Sequence, residues 1–273
     1  MGTVSLCSAT GEPVKVVVCV KEVPEASART RIDPGTLRLD RSGTAALNAF
    51  DAHALEEALR IRENAGDGEV VALMMAPERA ADSLRKALAV GADRAVHVAD
   101  ESLAGSDLVV TARVLAKAVE REEPDLVLLG QQGADSDGAV LWSALADLLR
   151  LPVVSQAASL ELADGKVRSK RQTEYGYDVI EAPLPCVVGV SDAINEPRYP
   201  SLKGIMGAKK KPYETLSAAD LGVSAEEAGE AGSRTEVTAL AEPPSRGDSV
   251  RIEDEGGDAA EKIVAYLAER KLI

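Results

Sequence analysis

Hydrophobic positions along the chain fall into short runs separated by stretches of helical spacing. Val14 to Val20 (VKVVVCV) is an almost continuous apolar run of strand length, as expected of a strand buried on both faces. A polar segment containing Pro24, Pro34, Gly35 and Gly43 reads as a loop. Asp51 then predicts an N-cap, with Ala54, Leu55, Ala58, Leu59 and Ile61 at helical spacing behind it. The rhythm repeats. Glu69–Met75 predicts a strand, Glu78–Val90 a helix stopped by Gly91, Arg94–Val98 a short strand and Ser106–Glu122 a helix. Pro124 ends that helix, Asp125–Gly130 (DLVLLG) is the next buried strand and Gly138–Leu149 another helix. Such alternation implies parallel strands joined by right-handed crossovers, an α/β, doubly wound, Rossmann-like sheet. Its ligand site belongs at the carboxyl ends of the strands.

After Pro152 the pattern changes. Val153–Leu162 and Lys166–Ile180 flank Ala163-Asp164-Gly165, and Asp-Gly between apolar alternations predicts an antiparallel hairpin. Cys186–Val190 (CVVGV) reads as one more buried strand, and Asn195–Pro212 has little periodicity. Residues 214–273 hold 14 acidic and 6 basic residues, and only Ala259–Leu272 has an amphipathic helical pattern. A segment so poor in apolar residues cannot fold alone. The expected organisation is a tail over residues 1–13, an α/β domain over 14–213, and a linker or partner-bound arm over 214–273.

Composition narrows the function classes. With 45% hydrophobic and 28% charged residues the chain can bury a sizeable core. Aromatic residues are only 3% and the formal charge is −14, which argues against a nucleic-acid platform. Cys7, Cys19 and Cys186 are widely spaced, with no CxxC or Cys/His metal pattern, so a reducing, cytoplasmic setting is expected and no metal site. No apolar run approaches bilayer length. GxGxxG, GxxxxGK[ST], GxSxG and HExxH are all missing, and His53 and His97 read as packing or surface residues. No catalytic residue is assigned.

The most informative segment is Gly130-Gln131-Gln132-Gly133-Ala134-Asp135-Ser136-Asp137-Gly138-Ala139, between a strand and a helix. A small-residue loop there exposes backbone N–H groups and aims a helix N-terminus at any bound anion, as nucleotide phosphate needs. Asp135 and Asp137 are open to two readings, helix caps or acceptors for ribose hydroxyls. Phe50, in Asn48-Ala49-Phe50-Asp51, is either core or a stacking surface for a flat ligand. Cys19, Met74 and Met75 read as core. Arg198, Lys203, Lys209, Lys210 and Lys211 reverse the local charge around Leu202, Ile205 and Met206, either a solvated loop or a protein-docking element with apolar anchors in a charged rim.

Together these segments resemble the beta subunit of electron-transfer flavoprotein. The likeness rests on VKVVVCVKEVP, NAFDAHALEEALRIRE, GADRAVHV, PDLVLLGQQGADSDGA and above all NEPRYPSLKGIMGAKKKP followed by DLGV, in the family's order from Val14 to Val223. The resemblance implies an adenine nucleotide alpha-hydrolase-like fold and a heterodimer whose alpha subunit carries the FAD, with the arm wrapped on that partner. It implies AMP bound around Cys19, Asn48, Ala49, Phe50, Asp51 and Met75, and around Gly130 through Ala139 with Val140 and Leu141. It further implies Phe50 near the flavin of the alpha subunit. Residues 195–211 become the loop that docks acyl-CoA or other flavin dehydrogenases, through Tyr199, Leu202, Ile205, Met206, Lys209, Lys210 and Lys211. Electrons pass on to a quinone-linked oxidoreductase, as in fatty acid oxidation.

Two departures matter. Ala139-Val140-Leu141-Trp142 replaces the polar run many members place after the second aspartate. The early KEVPEASARTRIDPGTLRLD resembles the branch whose beta subunit carries a second FAD, oxidises NADH and bifurcates electrons. FAD contains AMP, so one pocket suits either, with AMP favoured. An ATP-using enzyme lacks support because Lys21-Glu22-Val23-Pro24 stands where a Ser-Gly-Gly-x-Asp-Ser loop is wanted. A stress-protein-like nucleotide sensor is a further alternative.

Overall fold

The computed structural model describes residues 13–28, 31–241, 250–254 and 256–273. The expected amino-terminal tail, Cys7 included, lies outside the described residues except for Pro13. Strand β1 (Val14–Cys19) is buried on both faces, as its apolar run demands. The polar segment behind it is more than the single loop expected. It holds β2 (Glu22–Pro24), β3 (Ile32–Asp33), β4 (Arg38–Leu39) and β5 (Ala45–Leu47), with β2 on β5 and β3 on β4 as two antiparallel ribbons. These strands are too short to leave a periodicity in the sequence.

Helix α1 (Ala49–Ala65) leads to β6 (Gly68–Met75), α2 (Ala81–Val90), β7 (Arg94–Val98), α3 (Leu108–Glu122) and β8 (Leu126–Gly130). Helix α4 (Leu141–Leu149) starts later than Gly138, because Asp137 takes a left-handed φ of 50° and breaks the run-in. Next come β9 (Val153–Ala163), β10 (Lys166–Thr173) and β11 (Gly176–Pro183). The expected strand Lys166–Ile180 is therefore two, folded back at Glu174-Tyr175, and the hairpin is a three-stranded meander. Strand β12 (Cys186–Val190) follows. The aperiodic Asn195–Pro212 contains the short helix α5 (Leu202–Ala208), capped by the Ser201 hydroxyl. Strand β13 (Tyr213–Leu216) adds a parallel edge beside β7.

The nine-stranded sheet runs β11-β10-β9-β12-β8-β1-β6-β7-β13. Seven strands, β9 through β13 in that order, are parallel, and β10 and β11 extend the sheet antiparallel. Alternate side chains enter opposite cores: Val16 and Val18 join Leu55, Leu59 and Leu84 on the α1/α2 side, while Val17 and Cys19 join Val110, Val114 and Leu145 on the α3/α4 side. The doubly wound α/β sheet is as expected.

The domain does not stop at residue 213. Leu216, Ala218, Leu221, Val223 and Ala228 are buried in the α3/α4-side core, and the one-turn helix α6 (Gly229–Gly232) follows. Asp107, which caps α3, also accepts the backbone N–H groups of Arg234 and Thr235. The compact unit ends at Glu236, so scattered apolar residues, too sparse to stand out in an acidic stretch, carry it beyond the expected boundary. A second unit begins at Val237 and contains α7 (Ala259–Glu269), the amphipathic helix expected there.

Candidate functional site

Strand β1 lies between β6 and β8. From β1 the chain winds outward through β6 to β7, returns to β8, and continues outward on the other side to β12. The winding reverses at the β1/β8 boundary, and connections leaving in opposite directions open a crevice above the carboxyl ends of the strands. Cys19 and Lys21 at the end of β1, Met75 at the end of β6, the first turn of α1 and the 130–141 loop meet there.

Asn48 is buried at the N-cap position of α1, yet its side chain serves the loop: Nδ2 donates to Gln132 O at 2.8 Å and Oδ1 accepts from Ala134 N–H at 3.1 Å. Asp51 is not the cap predicted. It stands in the first helical turn, and its Oδ2 accepts the backbone N–H of Lys21 at 2.8 Å. Burial pushes its carboxyl up to about 7, against hydrogen bonds from Asn48, Lys21 and Gly130. Gly130 is required by this closeness, since a Cβ there would meet Asp51 Oδ1 at 2.6 Å. Cys19 is buried, and desolvation, with the nearby Asp51 charge, pushes its thiol up to about 12. Such a thiol is inert.

The two loop aspartates are not the helix caps that one sequence reading offered. Asp135 Oδ1 accepts from Lys21 Nζ at 2.7 Å, and Oδ2 accepts from Arg41 Nη2 at 2.6 Å and Nε at 3.0 Å. Burial raises its carboxyl, but these cationic donors outweigh that and hold it below the usual carboxylate range. Asp137 Oδ1 accepts from Gln132 Nε2 at 3.0 Å. Neither carboxylate caps α4, whose N-cap Val140 supplies no acceptor. The loop turns on Gly133, whose carbonyl accepts from Ser136 N and Asp137 N, while a Cβ on Gly138 would make only an ordinary contact with Ser136 Oγ at 3.9 Å. Trp142 Nε1 donates to Gln131 O at 3.3 Å, its indole lying where a Cβ on Gly189 would come within 2.9 Å. Ala139 stays in the loop, and Leu141 opens the helix, packed against the core.

This arrangement offers features that an anionic ligand would use. The first-turn N–H groups of α4 have no side-chain cap, and Lys21 and Arg41 put two partly exposed cations on the rim, which suits phosphate. Phe50 is only half-buried beside Ala49 in the first turn of α1 and is absent from both cores, so core packing does not account for it. Met75, by contrast with buried Met74, is half-buried against the α3/α4-side core.

The second group of candidates sits on α1 and α2. Asn195 Nδ2 donates to His53 O at 3.0 Å and Glu57 Oε2 at 2.9 Å. Arg198 Nε donates to Glu56 Oε2 at 2.7 Å, and Nη2 to Glu63 Oε2 at 2.9 Å. The segment thereby lies along α1. Tyr199 (94% exposed), Leu202 (82%), Ile205 (52%) and Met206 (79%) project outward, with Lys209 and Lys210 exposed beside them. Lys211 departs from this group. Its ammonium donates to Leu88 O at 2.9 Å and Ala92 O at 2.6 Å, capping the carboxyl end of α2. His53 Nδ1 lies 3.0 Å from Asn195 O, and His97 is buried between Ala76 O and Tyr213.

Sequence reasoning missed Lys21, Arg41 and the Trp142–Gly189 contact. A cation directly after a buried strand is a signal for Lys21, whereas nothing local marks Arg41.

Comparison with known proteins agrees with this layout. A family model described as "Electron transfer flavoprotein domain" matches residues 36–221. The chain is 39% identical over 264 residues to the electron transfer flavoprotein subunit beta of Mycobacterium leprae, covering 94% of this chain and 99% of that one. It is 37% identical over 262 residues to the subunit of that name from Thermoanaerobacterium thermosaccharolyticum, covering 95% and 100%. With the caffeyl-CoA reductase-Etf complex subunit CarD of Acetobacterium woodii it shares 36% identity over 263 residues, covering 95% and 100%. The chain belongs to the electron transfer flavoprotein family, among its beta subunits.

Proposed function

We propose that this chain is the adenylate-binding, partner-docking half of a heterodimeric electron carrier, paired with an alpha subunit that holds the FAD. FAD supplies the electron-accepting and electron-donating chemistry, while this chain binds, orients and docks. AMP occupies the crevice above β1, β6 and β8, contacting Cys19, the Asn48–Asp51 turn, Met75 and the 130–141 loop, largely through backbone groups. Phe50 faces the flavin of the alpha subunit. Tyr199, Leu202, Ile205 and Met206, rimmed by Lys209 and Lys210, engage acyl-CoA or related flavin dehydrogenases. Electrons leave to a quinone-linked oxidoreductase, and the acidic segment after Glu236 wraps the alpha subunit. An exposed apolar cluster suits such a transient contact, because the carrier must both approach and leave.

One observation carries this reading: helix α1 serves both sites. Its first turn walls the crevice through Asn48 and Asp51, and its flank holds the docking segment through Glu56, Glu57 and Glu63. Purification from the native host should bring down a flavin-bearing partner, and nucleotide released on denaturation should include AMP in proportion to this chain. A lone, folded, nucleotide-free molecule would refute the proposal.

A second reading places FAD in the same crevice of a bifurcating carrier that oxidises NADH. The ribboned 22–47 excursion and the relative named for a caffeyl-CoA reductase complex favour it. Flavin absorbance retained by this chain alone would select it over AMP.

A further inference from the structure

The carboxylate of Asp135 is the meeting point of three distant pieces of chain. It is almost wholly shielded, its side chain 2% exposed, while Lys21 and Arg41 are 40% and 36% exposed. Each of its oxygens takes one cation: Oδ1 receives Lys21 Nζ, and Oδ2 receives the two-pronged guanidinium of Arg41. Lys21 reaches from a fixed point, because its N–H is held by Asp51 and its carbonyl by the N–H of Asn48 at 2.8 Å. Arg41 reaches from the excursion between β4 and β5, which touches the 130–141 loop through this contact. Gly133 lies beneath the cluster, where a Cβ would stand 3.0 Å from Asp135 Oδ1 and 3.2 Å from Lys21 Nζ.

We propose that Lys21 and Arg41 are positioning residues for the nucleotide loop, acting jointly through Asp135 to hold residues 130–141 in the shape that receives an adenylate. The loop has few apolar anchors, and residues 134 to 138 are mostly exposed, so hydrophobic packing does not fix it. A shielded carboxylate is costly to leave without a partner. With two cations present, removal of either leaves Asp135 paired, whereas removal of both strands a negative charge inside the loop. The effects of the two substitutions must therefore be strongly non-additive. The ligand part of this proposal rests on the adenylate reading above, whereas the loop-ordering part does not.

The test uses the full chain and two measurements: amide hydrogen exchange of residues 131–140 without added nucleotide, and calorimetric titration with AMP. K21Q and R41Q should each speed loop exchange and weaken AMP binding by about 3-fold, and K21Q/R41Q by about 30-fold or more, well beyond the product of the singles. R41K, keeping the charge but losing the fork, should fall between R41Q and the unaltered chain. R171Q, which breaks the Arg171–Asp178 pair on the meander, should change neither reading. If the double variant does not fold, the order of loop exchange among R41Q, R41K and the unaltered chain decides, and equal rates in all three overturn the proposal. Additive effects in a folded double variant also overturn it. Should the unaltered chain take up no AMP, the adenylate reading fails alone, and the exchange measurement still decides whether Lys21 and Arg41 order the loop.

Discussion

Gly204 in α5 rests directly on the carbonyl oxygen of Ala89 in α2, with no room for a Cβ between them. This contact seats α5, together with the Ser201 cap and the Lys211 ammonium on the last carbonyls of α2. Gly204→Ala must push α5 outward. Overpacking of this kind costs about 1–3 kcal/mol, which thermal unfolding should register. If α5 docks the dehydrogenase as proposed, oxidation of a reduced dehydrogenase by the assembled carrier should slow as well, and a variant with native stability would contradict the packing described.

Leu202→Ala separates docking from folding. The side chain is 82% exposed, so stability should change by less than about 0.5 kcal/mol. If Leu202 anchors the dehydrogenase, stopped-flow reduction of the carrier should slow at limiting donor, with nucleotide content and subunit pairing intact. Unaltered reduction kinetics would remove α5 from the docking surface.

Asp51 predicts a pH dependence. Its carboxyl titrates near 7 in the fold against an ordinary value of 3.8, raised chiefly by burial, so the native state binds more protons than the unfolded chain between those values. Its stabilising contribution is complete below the unfolded value and is lost as pH rises through about 7. The total over that window is on the order of 4 kcal/mol. Asp51→Asn keeps an acceptor for Lys21 N–H and removes the titration. Chemical denaturation of the two forms from acid to neutral pH should show the variant gaining relative stability as pH rises. Parallel curves would mean that Asp51 does not titrate there.

The buried imidazole of His97, on β7, ties the residue after β6 to the edge strand β13. Nε2 lies 3.0 Å from Ala76 O, which assigns the proton to Nε2 and leaves Nδ1 to accept the Tyr213 hydroxyl at 2.8 Å. Burial holds the ring below the ordinary histidine range. Tyr213→Phe leaves Nδ1 without its partner and should cost about 1–3 kcal/mol. Faster amide exchange in β13 than in β1 would locate the loss, and no change in either strand would dismiss the tie.

The sheet was legible because its strands are buried on both faces, which forces continuous valine and leucine runs whose ends are easily read. Cys186–Val190 and Arg94–Val98 match their expected limits for that reason. The ribbons of residues 22–47 and helix α5 were not legible, since two- or three-residue strands and a seven-residue helix seated on glycine leave no period. Within the site, the loop and the Asn48 turn stood out by composition and position. The assignment of Asp51 as a cap failed because a buried acceptor for Lys21 N–H looks, in one dimension, like any acid at a helix start. The partners of Asp135 were out of reach altogether, because Arg41 meets it across 94 residues of sequence.

The chain contains a single tryptophan, and its indole donates to the carbonyl of Gln131 while packing closely against Gly189. With excitation at wavelengths the five tyrosines do not absorb, emission from the native polypeptide therefore comes from one address, at the hem of the crevice. If an adenylate lodges there as proposed, its arrival and departure should register without a dye, in a chromophore the molecule already wears.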